Sequence, residues 1–148
     1  MTRTLRRRTF LAASAATAAG LLLPAVPASA GDVVTLDGLY NPDMSISPYG
    51  WFLNGMQLRI RGFMAPPLPA SDTFFVLGQA PLEVCPSCKS EEDWPGNIAA
   101  VYSRYVITPT KIDASIVTSG VLQVGTYRDE QLGFVSQLRI TDAVYAHG

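Results

Sequence analysis

Histidine and cysteine are scarce in this chain of 148 residues, which has one histidine and two cysteines. The histidine, His147, is the penultimate residue, and no G-x-S-x-G segment occurs. A serine hydrolase needs a nucleophile and an orienting histidine, and a nucleotide enzyme needs a glycine-rich loop before a helix. The sequence shows neither arrangement. It therefore argues against an ordinary hydrolase or nucleotide enzyme and favours a non-enzymatic protein, without deciding the question.

Long apolar runs are also scarce. The longest apolar run of the sequence lies within the first thirty residues. That segment contains an R-R-x-F-L pattern, an Ala-rich run and a small-residue site, with the defining residues Arg7, Arg8, Phe10, Leu11, Ala28 and Ala30. These features are typical of a twin-arginine signal peptide over 1–30, cleaved before Gly31. The apolar run is shorter than the ~20 residues that span a bilayer. We therefore expect a periplasmic or extracellular protein with no stable membrane insertion after cleavage.

Basic residues become scarce once this segment is removed. The chain has 11 basic and 12 acidic residues. Four arginines and no acids lie in 1–30, so 7 basic and 12 acidic residues remain, for a net charge of −5. A negative surface disfavours nucleic-acid backbones and anionic lipid. About 118 residues correspond to one domain, and we expect no nucleic-acid partner for it.

Amphipathic helices are missing from the rest of the sequence, whereas strand patterns recur. Residues 56–64 alternate apolar with polar, which predicts a half-buried strand. Residues 74–77 form a short apolar run with two aromatics, which suits a strand covered on both faces. Five strands are predicted in all, at about 56–64, 73–78, 98–103, 115–127 and 133–144.

Glycines inside two of these strands indicate a small closed sheet. Gly62 lies in the first predicted strand, and Gly120 and Gly125 lie in the fourth. Closed barrels use such glycines at bulges and tight bends. We therefore predict an all-β, five-stranded OB-like β-barrel over 53–148, with an open sandwich as the alternative. Residues 31–52 are predicted to form an arm and loop, and whether 33–36 join the barrel stays open.

Several aromatic residues could form a stacking platform of the kind that OB-folds present to oligonucleotides or sugars. They are Trp51, Phe52, Trp94, Tyr102 and Tyr105. Packing in the core or under loops is the favoured alternative for them. Similarly, the carboxylates of Glu91, Glu92 and Asp93 are better explained as a solvated acidic loop than as a catalytic pair, because consecutive loop residues do not converge on one substrate atom.

Both cysteines lie in one C-P-S-C segment, at Cys85 and Cys88. In an oxidising compartment the pair favours a structural disulfide that closes a tight loop. As half of a zinc site it would need two more ligands, from His147, the acids at 91–93 or a second subunit. A redox-active dithiol is the third alternative, but no helix of sufficient length is predicted to begin there, and the nearby acids oppose thiolate formation. No cofactor is expected, and zinc is the one metal considered.

The order of these motifs resembles a group of exported bacterial proteins of unknown function. Their pattern is a V-R-I-x-G-[FY]-M-x-P strand, a strand with F-x-L, a C-P-x-C loop, and a final hairpin that ends in L-R-[LI]-x-x-A. The likeness covers about 53–145. It implies an OB-like barrel outside the cytoplasm, and it implies an envelope protein or transporter component as partner, with metal handling suspected for some relatives.

The sequence therefore predicts a non-enzymatic binding or accessory module of the cell envelope, associated with a transport system. The alternative is a metal-handling or thiol-redox protein that acts through Cys85 and Cys88. The ligand and the oligomeric state are not encoded in any pattern described above.

Overall fold

Strands dominate the part of the chain that the structure, a computed structural model, describes: residues 31–82 and 94–148. These residues contain six strands, β1 (Val33–Thr35), β2 (Gln57–Met64), β3 (Phe74–Gly78), β4 (Ile98–Ser103), β5 (Ser115–Arg128) and β6 (Val135–His147). They also contain two short helices, α1 (Leu36–Leu39) and α2 (Pro48–Phe52). The mostly β class is confirmed, and the five predicted strands correspond to β2–β6 within a few residues at their ends.

The strands form one mixed sheet in the order β1-β2-β3-β4-β6-β5, and β5 also pairs with β2. Each of the strands β2 to β6 therefore has a neighbour on both sides, and the pairings form a ring. β4 and β6 run parallel, with Val101 opposite Ile140. The other pairs in the ring are antiparallel. The ring is closed by strands distant in sequence, since Gln57 of β2 lies opposite Val121 of β5.

The N-terminal residues add an edge strand outside this ring. β1 lies parallel to β2, with Val33 opposite Arg59 and Thr35 opposite Arg61. Residues 33–35 therefore join the sheet, which answers the question that the sequence leaves open. α1 follows directly and buries Leu36 and Leu39.

α2 lies within the region predicted as loop. Its N-cap is Ser47, whose hydroxyl oxygen accepts a hydrogen bond from the Gly50 N–H at 3.0 Å. Pro48 is at the first helical position, where its missing N–H costs nothing. The region 31–52, predicted as an arm and loop, therefore contains a short helix over Pro48–Phe52. A five-residue helix shows no helical period, but the Ser-Pro pair is a helix-start signal.

The interior of the ring is filled by alternate residues of the strands. Ile60, Phe75, Leu77, Leu138 and Ile140 are among its fully buried members. α1 contributes Leu36 and Leu39 to the same cluster, and Leu53, the C-cap of α2, also belongs to it. We call it the interior cluster. The alternation of 56–64 is explained by this arrangement, because the even-numbered residues of β2 point inward and the odd-numbered ones point outward.

A second apolar cluster lies on the outside of β3 and β4. Phe74 and Val76 of β3 and Ala100 of β4 are buried there, against residues of the connecting segments. The other members, including those packed at its margin, are Ala65, Leu68, Leu82, Trp94, Ile98, Tyr102, Leu132 and Phe134. We call it the outer cluster. It covers the second face of β3, so all five residues of that strand are buried, as predicted for 74–77.

Gly62 is needed where β2 passes from β5 to β3. A Cβ at this position would lie 2.6 Å from the carbonyl oxygen of Gly78 and 2.8 Å from Leu77 Cγ. The predicted bulge is absent, since the β2–β5 register is regular through Gly62. Register shifts occur instead in the β5–β6 ladder, beside Gly120 and at Gly125, and in the β4–β6 pairing between Val101 and Ser103.

Candidate functional site

The turn between β5 and β6 is built around one aspartate. Asp129 Oδ1 accepts hydrogen bonds from the backbone N–H groups of Gln131 at 2.9 Å and Leu132 at 2.8 Å. The Asp129 main chain also pairs with Phe134 and Gly133. Gly133 has a φ of 67°, which favours glycine. The sequence D-E-Q-L-G therefore forms a compact turn in which the carboxylate organises the backbone.

The second oxygen of Asp129 links this turn to β4. The hydroxyl of Tyr102 donates a hydrogen bond to Asp129 Oδ2 at 3.0 Å. Burial opposes ionisation of Asp129, but the bonds from Leu132, Tyr102 and Gln131 outweigh it, so the pKa of Asp129 lies below its usual range. Burial and the adjacent carboxylate raise the pKa of Tyr102. At neutral pH the pair is thus a neutral phenol donating to a carboxylate.

A cleft of about 400 Å³ lies beside this pair. One side is the connection between β2 and β3, which contributes Ala70, Ser71 and Thr73, and the other side is the β5–β6 turn. The remaining lining residues are Phe74, Tyr102, Tyr127, Arg128, Asp129, Glu130, Gln131 and Leu132. We call it the turn cleft. Hydroxyl, amide and carboxylate groups are mixed there with three aromatic rings.

Tyr127 forms the exposed aromatic part of the cleft. The guanidinium of Arg139 lies 4.3 Å from its ring centre, in cation–π contact. Arg139 is itself held by the Gly125 carbonyl and the Gln123 side chain, both at 3.2 Å. The ring is therefore supported from one side, while Tyr127 keeps 42% of its surface exposed. A preorganised, half-exposed ring of this kind suits contact with a ligand.

The floor of the cleft is formed by aromatic rings that pack edge to face. Phe74 contacts Tyr102 and Phe134 with ring centres 5.3 and 5.2 Å apart. Trp94 extends this packing onto Phe134 at 5.6 Å. The outer cluster thus supports the turn cleft from below, and Leu132 takes part in both.

The predicted cysteine site lies outside the described residues. Cys85 and Cys88 fall in 83–93, as do the acids at 91–93, and the signal residues Arg7, Arg8, Phe10, Leu11, Ala28 and Ala30 fall in 1–30. Leu82 and Trp94, which flank 83–93, both belong to the outer cluster. Within 31–82 and 94–148, no three His, Cys, Asp or Glu side chains come together in a way that could hold a metal ion.

The five aromatics proposed as a stacking platform are not one group. Trp94 and Tyr102 pack in the outer cluster, as the loop-packing alternative predicts. That alternative is wrong for Trp51, Phe52 and Tyr105, which expose 54, 69 and 64% of their surface. In the part of the chain that the structure describes, no close ring pair joins these three to Trp94 or Tyr102.

Sequence reasoning did not identify Tyr127, Asp129 or Arg139 as site residues. Tyr102 and Asp129 are 27 residues apart and meet only because β4 lies next to β6. One local signal was available for the turn itself. An aspartate that precedes G in D-E-Q-L-G between two strands is typical of a side-chain-capped turn.

Comparison with known protein families gives no match, and comparison with curated proteins gives none either. Among solved structures, the chain is similar to a DUF3299 family protein from Pseudomonas aeruginosa, with 14% sequence identity and a TM-score of 0.48. The similarity covers 79% of this chain and 97% of that one. Of the residues that the structure describes, none belong to a helix that is long and apolar enough to cross a membrane.

Proposed function

We propose that this chain is an exported, soluble, non-enzymatic binding or accessory module of the cell envelope, built on an OB-like barrel. The barrel proposal is supported by the ring of five pairings, in which the strand order is β2-β3-β4-β6-β5 and returns to β2. The OB architecture is a five-stranded Greek-key barrel, in which the spatial order of the strands differs from their order in the sequence. The export proposal is supported by the twin-arginine pattern of residues 1–30.

The observation that carries the binding proposal is the position of the turn cleft. OB-fold modules bind their ligands on the face of the second and third barrel strands, between the loop after strand one and the loop before strand five. Here those strands are β3 and β4, and the two loops are 65–73 and 129–134. The turn cleft lies between these same loops, over Phe74 of β3 and Tyr102 of β4.

The lining indicates the class of ligand. Glu130 and the ionised Asp129 oppose a phosphate backbone, which agrees with the acidic net charge. Ser71, Thr73 and Gln131 offer hydroxyl and amide groups, and Tyr127 offers a ring. Side chains of this kind hydrogen-bond to hydroxyl-rich, uncharged molecules and pack against their apolar faces. The ligand proposed for the turn cleft is therefore a neutral oligosaccharide.

The test is titration of the mature protein with short neutral oligosaccharides, followed by amide NMR. Shifts should concentrate on residues of 70–74 and 127–132. Tyr127→Ala should weaken binding about tenfold, because the ring supplies the apolar contact. Tyr105→Ala is the matched control, since Tyr105 is an exposed tyrosine outside the cleft, and it should change nothing. Equal effects of the two variants, or no binding to any oligosaccharide, would refute this assignment.

Association with an envelope protein or a transporter component is part of the same proposal. It is supported by the resemblance described for residues 53–145. The competing proposal is metal handling or thiol-redox chemistry at Cys85 and Cys88. The double variant Cys85→Ser with Cys88→Ser separates the two proposals. If the double variant still binds oligosaccharide, the result supports the binding module. If the wild type holds one zinc ion per chain, and the folded double variant loses both this zinc ion and the function of the protein, the result supports the cysteine chemistry.

A further inference from the structure

A second surface, which differs from the turn cleft in its chemical character, is formed by outward-facing residues of four strands. The register places Val33, Arg59, Ser119 and Val144 in one cross-strand row. Thr35, Arg61, Val117 and Ala146 form the next row. Residues opposite each other in a ladder point to the same face. Two arginines therefore project side by side from a surface of otherwise small, uncharged residues.

The side chains of these two arginines have no ion pair or hydrogen bond with any residue of 31–82 or 94–148. Two other arginines in the part of the chain that the structure describes are engaged by neighbouring groups. Arg104 forms an ion pair with Asp142 through two of its nitrogens, and Arg139 is held by Gly125, Gln123 and Tyr127. An arginine that is packed along a sheet but not paired keeps its donors available for a ligand.

The arginines line a cleft of about 360 Å³. It lies over β1, β2, β5 and the end of β6, and His147 and Gly148 also line it. Its lining contains no Asp or Glu side chain among the described residues. A chain with more acidic than basic residues thus has a concave surface that carries two arginines and no acidic side chain of the described residues. Arg59 is half-buried there, which strengthens its interactions with charge by lowering the local dielectric.

We propose that Arg59 and Arg61 form a binding site for an oxyanion, either free or carried as a phosphate head group. Alternate residues of a strand lie ~6.8 Å apart, so the two guanidinium forks can contact different oxygens of one phosphate or two groups of a small polyanion. Guanidinium groups bind such oxygens bidentately with charge-assisted hydrogen bonds. Ser119, opposite Arg59 in the first row, offers a hydroxyl to the same ligand. This site is independent of the oligosaccharide proposed for the turn cleft.

The experiment is a titration of the mature protein with inorganic phosphate, read by amide NMR. Shifts should centre on residues 59–61 and 117–119, and sodium chloride should weaken binding because the interaction is ionic. Arg59→Gln and Arg61→Gln should each lower the affinity about tenfold, as expected for one lost charge-assisted contact. Lys111→Gln is the control, since it removes one exposed positive charge from the β4–β5 connection and should leave the affinity unchanged.

A second experiment, with lipid vesicles, distinguishes a free oxyanion from a phosphate head group. Co-sedimentation with phosphatidylglycerol vesicles but not with phosphatidylcholine vesicles, lost in Arg61→Gln, assigns the site to a lipid head group. Phosphate binding without vesicle binding assigns it to a free oxyanion. The proposal is overturned if neither probe binds, or if all three variants change the affinity equally. Because the oligosaccharide titration involves different residues, failure of one site leaves the result for the other intact.

Discussion

The two apolar clusters differ in what covers them. The interior cluster is enclosed by the strands of the ring together with α1 and a few connecting residues, and the strand residues that fill it alternate along those strands. The outer cluster rests on β3 and β4 alone and is covered by connecting segments, through Leu68, Leu82, Trp94, Leu132 and Phe134. Phe75 and Phe74 are neighbours on β3 and are buried to the same degree, yet they belong to different clusters.

This difference predicts which substitutions change only the stability of the protein and which also change binding in the turn cleft. Residues enclosed by strands can move only if the sheet opens, whereas residues covered by loops can adjust locally. The turn cleft is built on the outer cluster, so its shape depends on the adjustable part of the protein. We therefore expect substitutions in the interior cluster to change stability most, and substitutions in the outer cluster to change binding as well.

The largest effect is expected for Phe75→Ala. Phe75 is fully buried in the interior cluster and packs edge to face on Tyr145, with ring centres 5.4 Å apart. Removing a fully buried phenylalanine side chain leaves a cavity that the surrounding strands cannot close, at a cost of about 3–5 kcal/mol. Urea unfolding measures this loss. Phe52→Ala is the control, because Phe52 is 69% exposed and should change stability by no more than ~0.5 kcal/mol.

A smaller loss of stability, about 2–3 kcal/mol, is expected for Phe74→Ala, because the segments that cover the outer cluster can partly close the cavity. This variant should also weaken binding in the turn cleft, since Phe74 supports Tyr102. Near-ultraviolet circular dichroism should report the change around Trp94. If Phe74→Ala lowers the free energy of unfolding as much as Phe75→Ala does, the connecting segments are as constrained as the strands. The proposed difference between the two clusters is then wrong.

The smallest effect is expected for Tyr102→Phe, at about 1 kcal/mol, because one hydrogen bond to a carboxylate is lost. Its pH dependence is the sharper test. The pKa of Asp129 is lowered in the folded protein, so its bonds stabilise the fold above the ordinary value of 3.8. That stabilisation is lost as the pH falls through the lowered pKa. The difference between wild type and variant should therefore shrink as the pH falls below 3.8.

Urea midpoints at neutral and acidic pH measure this difference. Tyr49→Phe, at an exposed tyrosine, is the matched control and should show no such dependence. A difference that stays constant as the pH falls below 3.8 would mean that Tyr102 does not stabilise the ionised form of Asp129.

The strands were predictable from the sequence because local patterns determine them. The alternation in β2 and β6 reflects one buried face, and the continuous apolar run in β3 reflects two. The short helices were missed because four or five residues do not complete enough turns to show a period. The partner of β1 was not predictable either, since a strand of three residues carries too little pattern to choose a neighbour.

The candidate sites depend on information that local patterns do not hold. Asp129 reaches Tyr102 through the parallel pairing of β4 with β6, and Arg59 meets Ser119 through the β2–β5 ladder. Both are consequences of the ring. The aromatic residues illustrate the same limit, because Trp94 and Trp51 have similar sequence surroundings, rich in Pro and Gly, but one is packed and the other exposed.

The ring of strand pairings also governs when this protein can fold. β2 is made early, but its longest ladder is with β5, whose residues follow roughly sixty positions later. A nascent chain emerging from the ribosome therefore has no partner for this edge of β2 until Ser115–Arg128 has been synthesised. Contacts so distant in sequence form slowly. The ring can thus close only after β5 and β6 have been synthesised, and an export route that accepts only folded cargo, as proposed for this chain, has to wait for that step.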